Sequence, residues 1–435
     1  MKYKDNENEK DRFCSSRSKL DPTPLDLKKA TKRKELDNDE DNDKKDTNLS
    51  KLDSLPLDLK SAILTRIPAK SLIKLRCVSK TWSSIVRSRG LIDSFFSMSS
   101  KQSRFIVALC NGVYGNPEER LIFFFSFSHD EGEDQSSSLV PNLEMVLPSL
   151  SFSYHSGSCT SLHGILAVEA DYRLTICNPS TEQAIKLPKA STFVGYDPID
   201  DQYKALSMDT RTRDDPSGYL EHKVLTLGGG QGWRTIDDTP FYREILSSVC
   251  INGFLYYGTY CLTQMYDQVM VCFDVRSEKL SFITTPKDVL QWGKQSIFIE
   301  YKGKLASIVR FPHGAFRSFD LWILEDVQRH EWSKRTCVIP ISVWDDVEPG
   351  RMSFPGTNKA GEIIMAPSLL SCIVRPFYIF YYNVETRNIR RVRLLGIGDD
   401  KEFRRCYGLG KNTDCFVNIA HQHVESISFF KDPII

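Results

Sequence analysis

The sequence predicts a mainly β protein: a small α-helical module, then a β-propeller of six blades closed by its C-terminal strands. Three observations predict it. Residues 52–88 place apolar side chains at helical spacing. From about residue 104 the period changes to short runs rich in Val, Ile, Phe and Tyr, punctuated by Gly, Asn, Asp and Pro. Those runs end roughly fifty residues apart, at Phe127, Asn178, Leu227, Asp274, Glu325 and Asn383, a repeat length typical of propeller blades. An open pair of sandwiched sheets is the alternative arrangement of the same strands.

In chain order, residues 1–50 come first. They hold as many acidic as basic groups and few large apolar side chains, so a disordered charged tail is expected. Within it, Lys28–Lys34 is a basic cluster ahead of an acidic run at 35–46. A nuclear-import signal and a solvated charge run are both consistent with it. The chain has 435 residues, 41% hydrophobic and 26% charged, with a formal net charge of +1. This balance is ordinary for a globular protein and argues against nucleic acid or membrane as the main partner. No apolar run approaches the ~20 residues of a bilayer span, and the amino terminus lacks a signal-peptide core. The twelve cysteines include no CxxC pair and read as reduced thiols of a cytoplasmic or nuclear protein.

Residues 51–95 form the helical module. Leu55-Pro56 opens it, because proline suits a first helical turn, where its missing N–H would be unpaired anyway. Leu59, Ile63 and Ile67 recur every four residues and share one face. Pro68 ends that helix. A second is expected from Lys70-Ser71, with Leu72, Leu75, Ser79, Trp82 and Val86 three or four apart. So short a stretch cannot bury this much apolar surface alone, and the surplus calls for a partner. Lys74, Arg76, Lys80, Arg87 and Arg89 are spread around the helices, unlike the single basic face of a DNA-reading helix-turn-helix.

This span resembles the F-box, the module that docks a substrate receptor onto the Skp-type adaptor of cullin–RING ubiquitin ligases. The resemblance rests on Leu55-Pro56, Ile63-Leu64, Ile67-Pro68, Lys70-Ser71-Leu72, and Leu75-Arg76-Cys77-Val78-Ser79-Lys80 followed by Trp82. It implies that Leu55, Pro56, Leu59, Ile63, Leu64, Ile67, Pro68, Leu72, Leu75, Val78 and Trp82 bind the adaptor. Cullin and a RING subunit follow as partners through it.

From 104 to 430 each unit repeats a grammar. A strand carrying glycine comes first, as in His163-Gly164, Asn252-Gly253 and Lys302-Gly303. An apolar strand follows and ends in a polar turn, as at Asn178-Pro179-Ser180-Thr181 and Asp274-Val275-Arg276-Ser277. A return strand closes on proline or glycine. The runs Cys415–Ala420 and Val424–Phe430 have no unit after them, and both are expected to complete the first blade as strands. That tail is expected to serve the ring alone, leaving residues 50–95 able to bind without it.

This half resembles the F-box-associated, kelch-like propeller domain of plant F-box proteins. The likeness rests on Tyr172-Arg173-Leu174 through Thr181, Val194-Gly195-Tyr196-Asp197-Pro198, Asp201-Gln202-Tyr203-Lys204, Ile251-Asn252-Gly253 and Cys272-Phe273-Asp274. Tyr257 stands where the family usually has tryptophan. The resemblance implies a target-binding domain, which makes the whole chain the substrate-recognition subunit of a ubiquitin ligase.

No catalytic residue, cofactor or metal ligand is assigned. The run Gly228–Gly232 lacks the Lys-Ser/Thr of a phosphate cradle and reads as a turn between strands. His421 and His423, two apart on an expected strand, would share a face, but no third ligand adjoins them. The pairs Asp200-Asp201, Asp237-Asp238 and Asp345-Asp346 read as loop residues. Loops that break the repeat, 209–218, 263–267, 310–318 and 367–376, are the candidate target contacts, with Phe311, Phe316 and Arg317 as anchors. A ligand-sensing or enzymatic propeller, and an F-box scaffold without target turnover, are the alternatives.

Overall fold

Hairpins with two left-handed residues start several blades. His163 and Gly164 have φ of 45° and 90°, Asn252 and Gly253 of 49° and 86°, Lys302 and Gly303 of 52° and 78°. A turn of this hand matches the right-handed twist of its flanking strands, so each pair opens an antiparallel ladder, regular throughout after 163–164 and 302–303 and shifted in register between Tyr242 and Ser248 in the ladder after 252–253. The computed structural model describes residues 55–111, 117–129, 139–152, 157–188, 191–210, 220–236, 242–261, 268–290, 296–310, 316–344, 351–409 and 415–430. The expected disordered tail, with its basic cluster, lies outside them. The chain divides into two compact units, residues 1–60 and 61–435.

In the first unit, Pro56 O accepts from Lys60 N at 3.1 Å, where helix α1 (Leu57–Leu64) begins. The second unit holds the rest of the helices and all the described strands. Helix α2 (Ala69–Lys74) follows Pro68 directly and runs into a 3-10 turn, Leu75–Cys77. Helices α3 (Lys80–Val86) and α4 (Arg89–Ser99) complete the module. The single second helix expected through Val86 is therefore cut. Ser79 and Ser88 sit at N-caps, their hydroxyls accepting from Trp82 N and Leu91 N at 3.2 and 3.4 Å, and such capping starts a new helix after each serine.

Six sheets form the ring. Blade two is Gly157–Leu162, Ile165–Ala170, Arg173–Asn178 and Gln183–Lys186. Blade three is Ser191–Asp197, Gln202–Thr210, Leu220–Thr226 and Arg234–Thr235. Blade four is Tyr242–Ile251, Phe254–Cys261, Gln268–Asp274 and Leu280–Thr284. Blade five is Ser296–Tyr301, Lys304–Arg310, Ser318–Asp326 and Glu331–Val338. Blade six is Met352–Thr357, Ile363–Pro367, Phe377–Tyr382 and Ile389–Leu394. In each, the strands run in chain order across the sheet.

Blade one joins the ends of the domain. Cys415–Ala420 pairs with Ser103–Cys110 in the register Ile106↔Ala420 to Leu109↔Val417, and Leu121–His129 and Asn142–Pro148 follow outward. Leu369–Leu370, from the neighbouring part of the ring, caps the inner side of Cys415–Ala420. The closure expected of the C-terminal tail is thus made by one strand. Residues 424–430 are not a strand. They run irregularly beneath the helices, where Ile427 is fully buried among Leu64, Leu72, Trp82, Leu91 and Phe95.

Gly228–Gly232 is the expected connection, between Leu220–Thr226 and Arg234–Thr235. A different glycine is structurally demanding. Gly356 has φ of 144°, and a Cβ there would come within 2.1 Å of the His421 ring, so the imidazole packs flat on bare backbone.

Burial sets the acid response of this ring. It pushes the pKa of His222 and of His421 down to about 4, and that of His423 to about 3, the last with help from the Arg104 charge. A histidine that stays neutral when folded, but takes a proton near pH 6.5 when unfolded, lends stability in full above pH 6.5. That stability drains as pH falls toward about 4. The melting temperature is expected to be level from pH 8 to 7 and to fall between pH 6.5 and 4, less steeply in His423→Asn. A wild-type profile flat across that window would contradict this.

Candidate functional sites

Two surfaces emerge from the geometry. The helical module presents the first. Its core is Leu64, Leu72 and Trp82, at 3%, 0% and 6% exposure, whereas Leu59, Ile63 and Val78 stand 52%, 48% and 50% exposed. Pro56 and Pro68 are also exposed, and Leu55, Ile67 and Leu75 are half-buried. The apolar pattern read along the sequence therefore splits by role. Leu64, Leu72 and Trp82 hold the helices together, while Ile63 and Val78, with Leu59 one turn before Ile63 on α1, offer apolar area to solvent.

Strand direction defines the second surface. First-to-second and third-to-fourth strand turns emerge on one face of the ring. Second-to-third connections and the crossings between blades emerge on the other. The helices meet first-to-second turns: Phe96 lies 4.2 Å from the His163 ring, Arg89 pairs with Asp201 at 2.5 Å, and Lys359 Nζ donates to the carbonyls of Ser100 and Lys101 at 3.0 and 3.3 Å. The second strands thus end, and the third strands begin, at the opposite face. Residues 211–218, 263–267 and 311–315 of the candidate loops, Phe311 among them, lie outside the described residues. Phe316 is a packing residue, with Phe354, Trp344 and Phe319 at 5.8, 6.0 and 6.4 Å. Arg317 is exposed.

The inner strands enclose a channel with a cavity volume of about 910 Å³. His421 lines it, whereas His423 is buried beside Ser161, whose hydroxyl lies 3.1 Å from Nδ1. Gln422, at φ of 50°, breaks the strand alternation expected to put both rings on one face. Among the described residues no three His, Cys, Asp or Glu side chains cluster as a metal site.

Comparison with known families agrees with this division. Residues 52–93 match the F-box domain and residues 113–424 match the F-box associated beta propeller domain. The chain belongs to the F-box proteins. Similar proteins are F-box proteins of Arabidopsis thaliana. The Arabidopsis thaliana protein At1g32660 is 61% identical over 448 residues, spanning 100% of this chain and 99% of its own. F-box protein At1g30790 from the same plant is 53% identical, over 84% of this chain and 96% of its own. F-box protein DOR, also from Arabidopsis thaliana, is 34% identical over 77% and 87%.

In this F-box protein, the Gly195–Lys204 motif fastens blade three to its neighbours and to the F-box. Tyr196 stacks on His163 with centroids 3.9 Å apart and donates its hydroxyl to Asp201 at 2.6 Å. Asp201 in turn takes Arg89 of α4. Lys204 Nζ reaches Glu278 of blade four at 2.7 Å. Gly195 is small because any Cβ would strike Val275 at 2.4 Å.

The F-box is also held from below by the C-terminal segment, which the sequence pattern did not reveal. Arg76 lies over the Phe429 ring at 3.6 Å. Glu425 N donates to Ser99 Oγ at 2.9 Å, and the Glu425 carboxylate pairs with Arg104. Asn178 Nδ2 of blade two donates to Ser426 O and Ser428 O at 2.9 and 3.0 Å. Residues 421–430 thus strap module to ring. The one signal available beforehand was an apolar run with no following unit to pair with.

Proposed function

We propose that this chain is the target-recognition subunit of a Skp–cullin–F-box ubiquitin ligase in the cytoplasm or nucleus. The F-box docks the Skp-type adaptor through Ile63, Val78 and the exposed face of α1, and the loop face of the propeller holds a protein for ubiquitination. F-box domains generally bind Skp-type adaptors. The observation that supports the reading best is the split within the module: buried apolar residues complete its core, and equally apolar ones remain outside it. On this reading the chain performs no chemistry. It raises the local concentration of target lysines near a conjugating enzyme.

Ile63→Asp with Val78→Asp is expected to abolish co-purification of adaptor and cullin while the melting temperature stays within a degree or two of wild type. The loss at two central apolar contacts corresponds to about 100-fold or more in affinity. Undiminished adaptor recovery with the double variant would refute this docking surface.

A further inference from the structure

The arginines lining the channel gather at one end. At the loop-face mouth stand Arg173, at the start of a third strand, Arg310, at the end of a second strand, and Arg351, just before an inner strand. Among the described residues, Glu169 is the carboxylate beside them. The carboxylate Glu300 lies toward the other end, near the close of its inner strand. Arg310 is already oriented: its Nη1 donates to Met352 O at 2.7 Å. Arg351 is near enough that its charge, after burial itself, lowers the Arg310 pKa. Hydroxyls of Ser158, Ser191, Ser296 and Ser368 line the same cavity. A cavity of about 910 Å³ accommodates several side chains. A net charge of only +1 favours a peptide over a nucleic acid as the occupant.

We propose that the loop-side mouth of the channel receives an extended acidic segment of the target protein, its carboxylate or phosphate groups seated against Arg173, Arg310 and Arg351. Guanidinium forks suit either group, since both accept paired N–H donors. The inference rests on the reading that the loop face holds the target.

The test uses the full-length protein and short fluorescein-labelled peptides, one of alternating Glu and Ser, one with phosphoserine for Glu, one with Lys for Glu. Fluorescence anisotropy at about 150 mM NaCl is expected to show binding of one or both acidic peptides and none of the lysine peptide. Which acidic peptide binds more tightly identifies the group preferred. Arg173→Gln with Arg351→Gln changes two exposed side chains, so folding should survive, as melting will check; affinity should fall about tenfold or more. Arg276→Gln with Arg329→Gln, on the turn face, should leave it unchanged. Equal binding of acidic and basic peptides, equal competition by single-stranded DNA, or indifference to Arg173→Gln with Arg351→Gln would overturn the proposal. In cells, targets captured with the F-box disabled separate the two readings. Capture that survives the arginine variant but fails when loop 367–376 is replaced sinks the acidic-segment proposal alone. Capture that survives both sinks the target-face reading as well.

Discussion

Ile427→Asp is expected to unfold the F-box helices from a position in the last turn of chain. Ile427 is fully buried against Leu64, Leu72, Trp82, Leu91 and Phe95. Truncating such a side chain to alanine costs about 2–5 kcal/mol, and to valine about 0.5–1.5. A carboxylate at the same place adds an unpaired buried charge to the lost packing. Hydrogen exchange should show residues 61–99 losing protection in the aspartate variant, and in graded fashion through valine and alanine, with adaptor recovery falling in step. Protection of those helices unchanged by the aspartate would show that the segment lies beside the module without supporting it.

Ending the chain at residue 412 is expected to have the larger effect, because it removes two things together. Loss of Cys415–Ala420 strips the inner strand from blade one and leaves Ser103–Cys110 with an open edge, an apolar strand that is now buried almost throughout. Exposed edges of that kind pair with other chains. Loss of Ile427 and Phe429 simultaneously uncovers the F-box core. The truncated protein should therefore aggregate and fail to recover adaptor, contrary to the independence of residues 50–95 that the sequence suggests. A monomer with wild-type melting would contradict the closed ring, and adaptor binding by an otherwise collapsed chain would contradict the strap.

The ring was legible because its signals are local. Asn252-Gly253 and Lys302-Gly303 announce tight hairpins, polar turns such as Asp274–Ser277 recur at blade spacing, and both depend on neighbours a few residues away. The F-box was legible for the same reason, as an ordered set of residues within a short span. What the sequence could not sort was which apolar residues face inward. Leu64 and Ile63 are adjacent and equally apolar, yet one is buried and the other half exposed, and the difference depends partly on Ile427, more than three hundred residues away. The run at 424–430 reads as strand yet folds irregularly, because apolar content states a need for burial without naming the surface that satisfies it. Phe316 shows the converse: an aromatic in a loop that looked available is engaged by Phe319, Trp344 and Phe354.

The turns that meet the helices and the ends of the second strands lie on opposite faces of the ring, separated by roughly 20 Å, the length of a six-residue strand. Selection can therefore act on the two faces independently. On the proposed reading, insertions and substitutions in 209–218, 263–267 or 310–318 change what is held without disturbing how the molecule is mounted, since these segments join second strands to third strands. On that reading, duplicated copies of such a gene would inherit a working mount at once and could diverge in binding preference alone. On the same reading the turn face carries the mounting, and a substitution at Asp201 or Asn178 would loosen contacts that hold helix and strap to the ring whatever the other face binds.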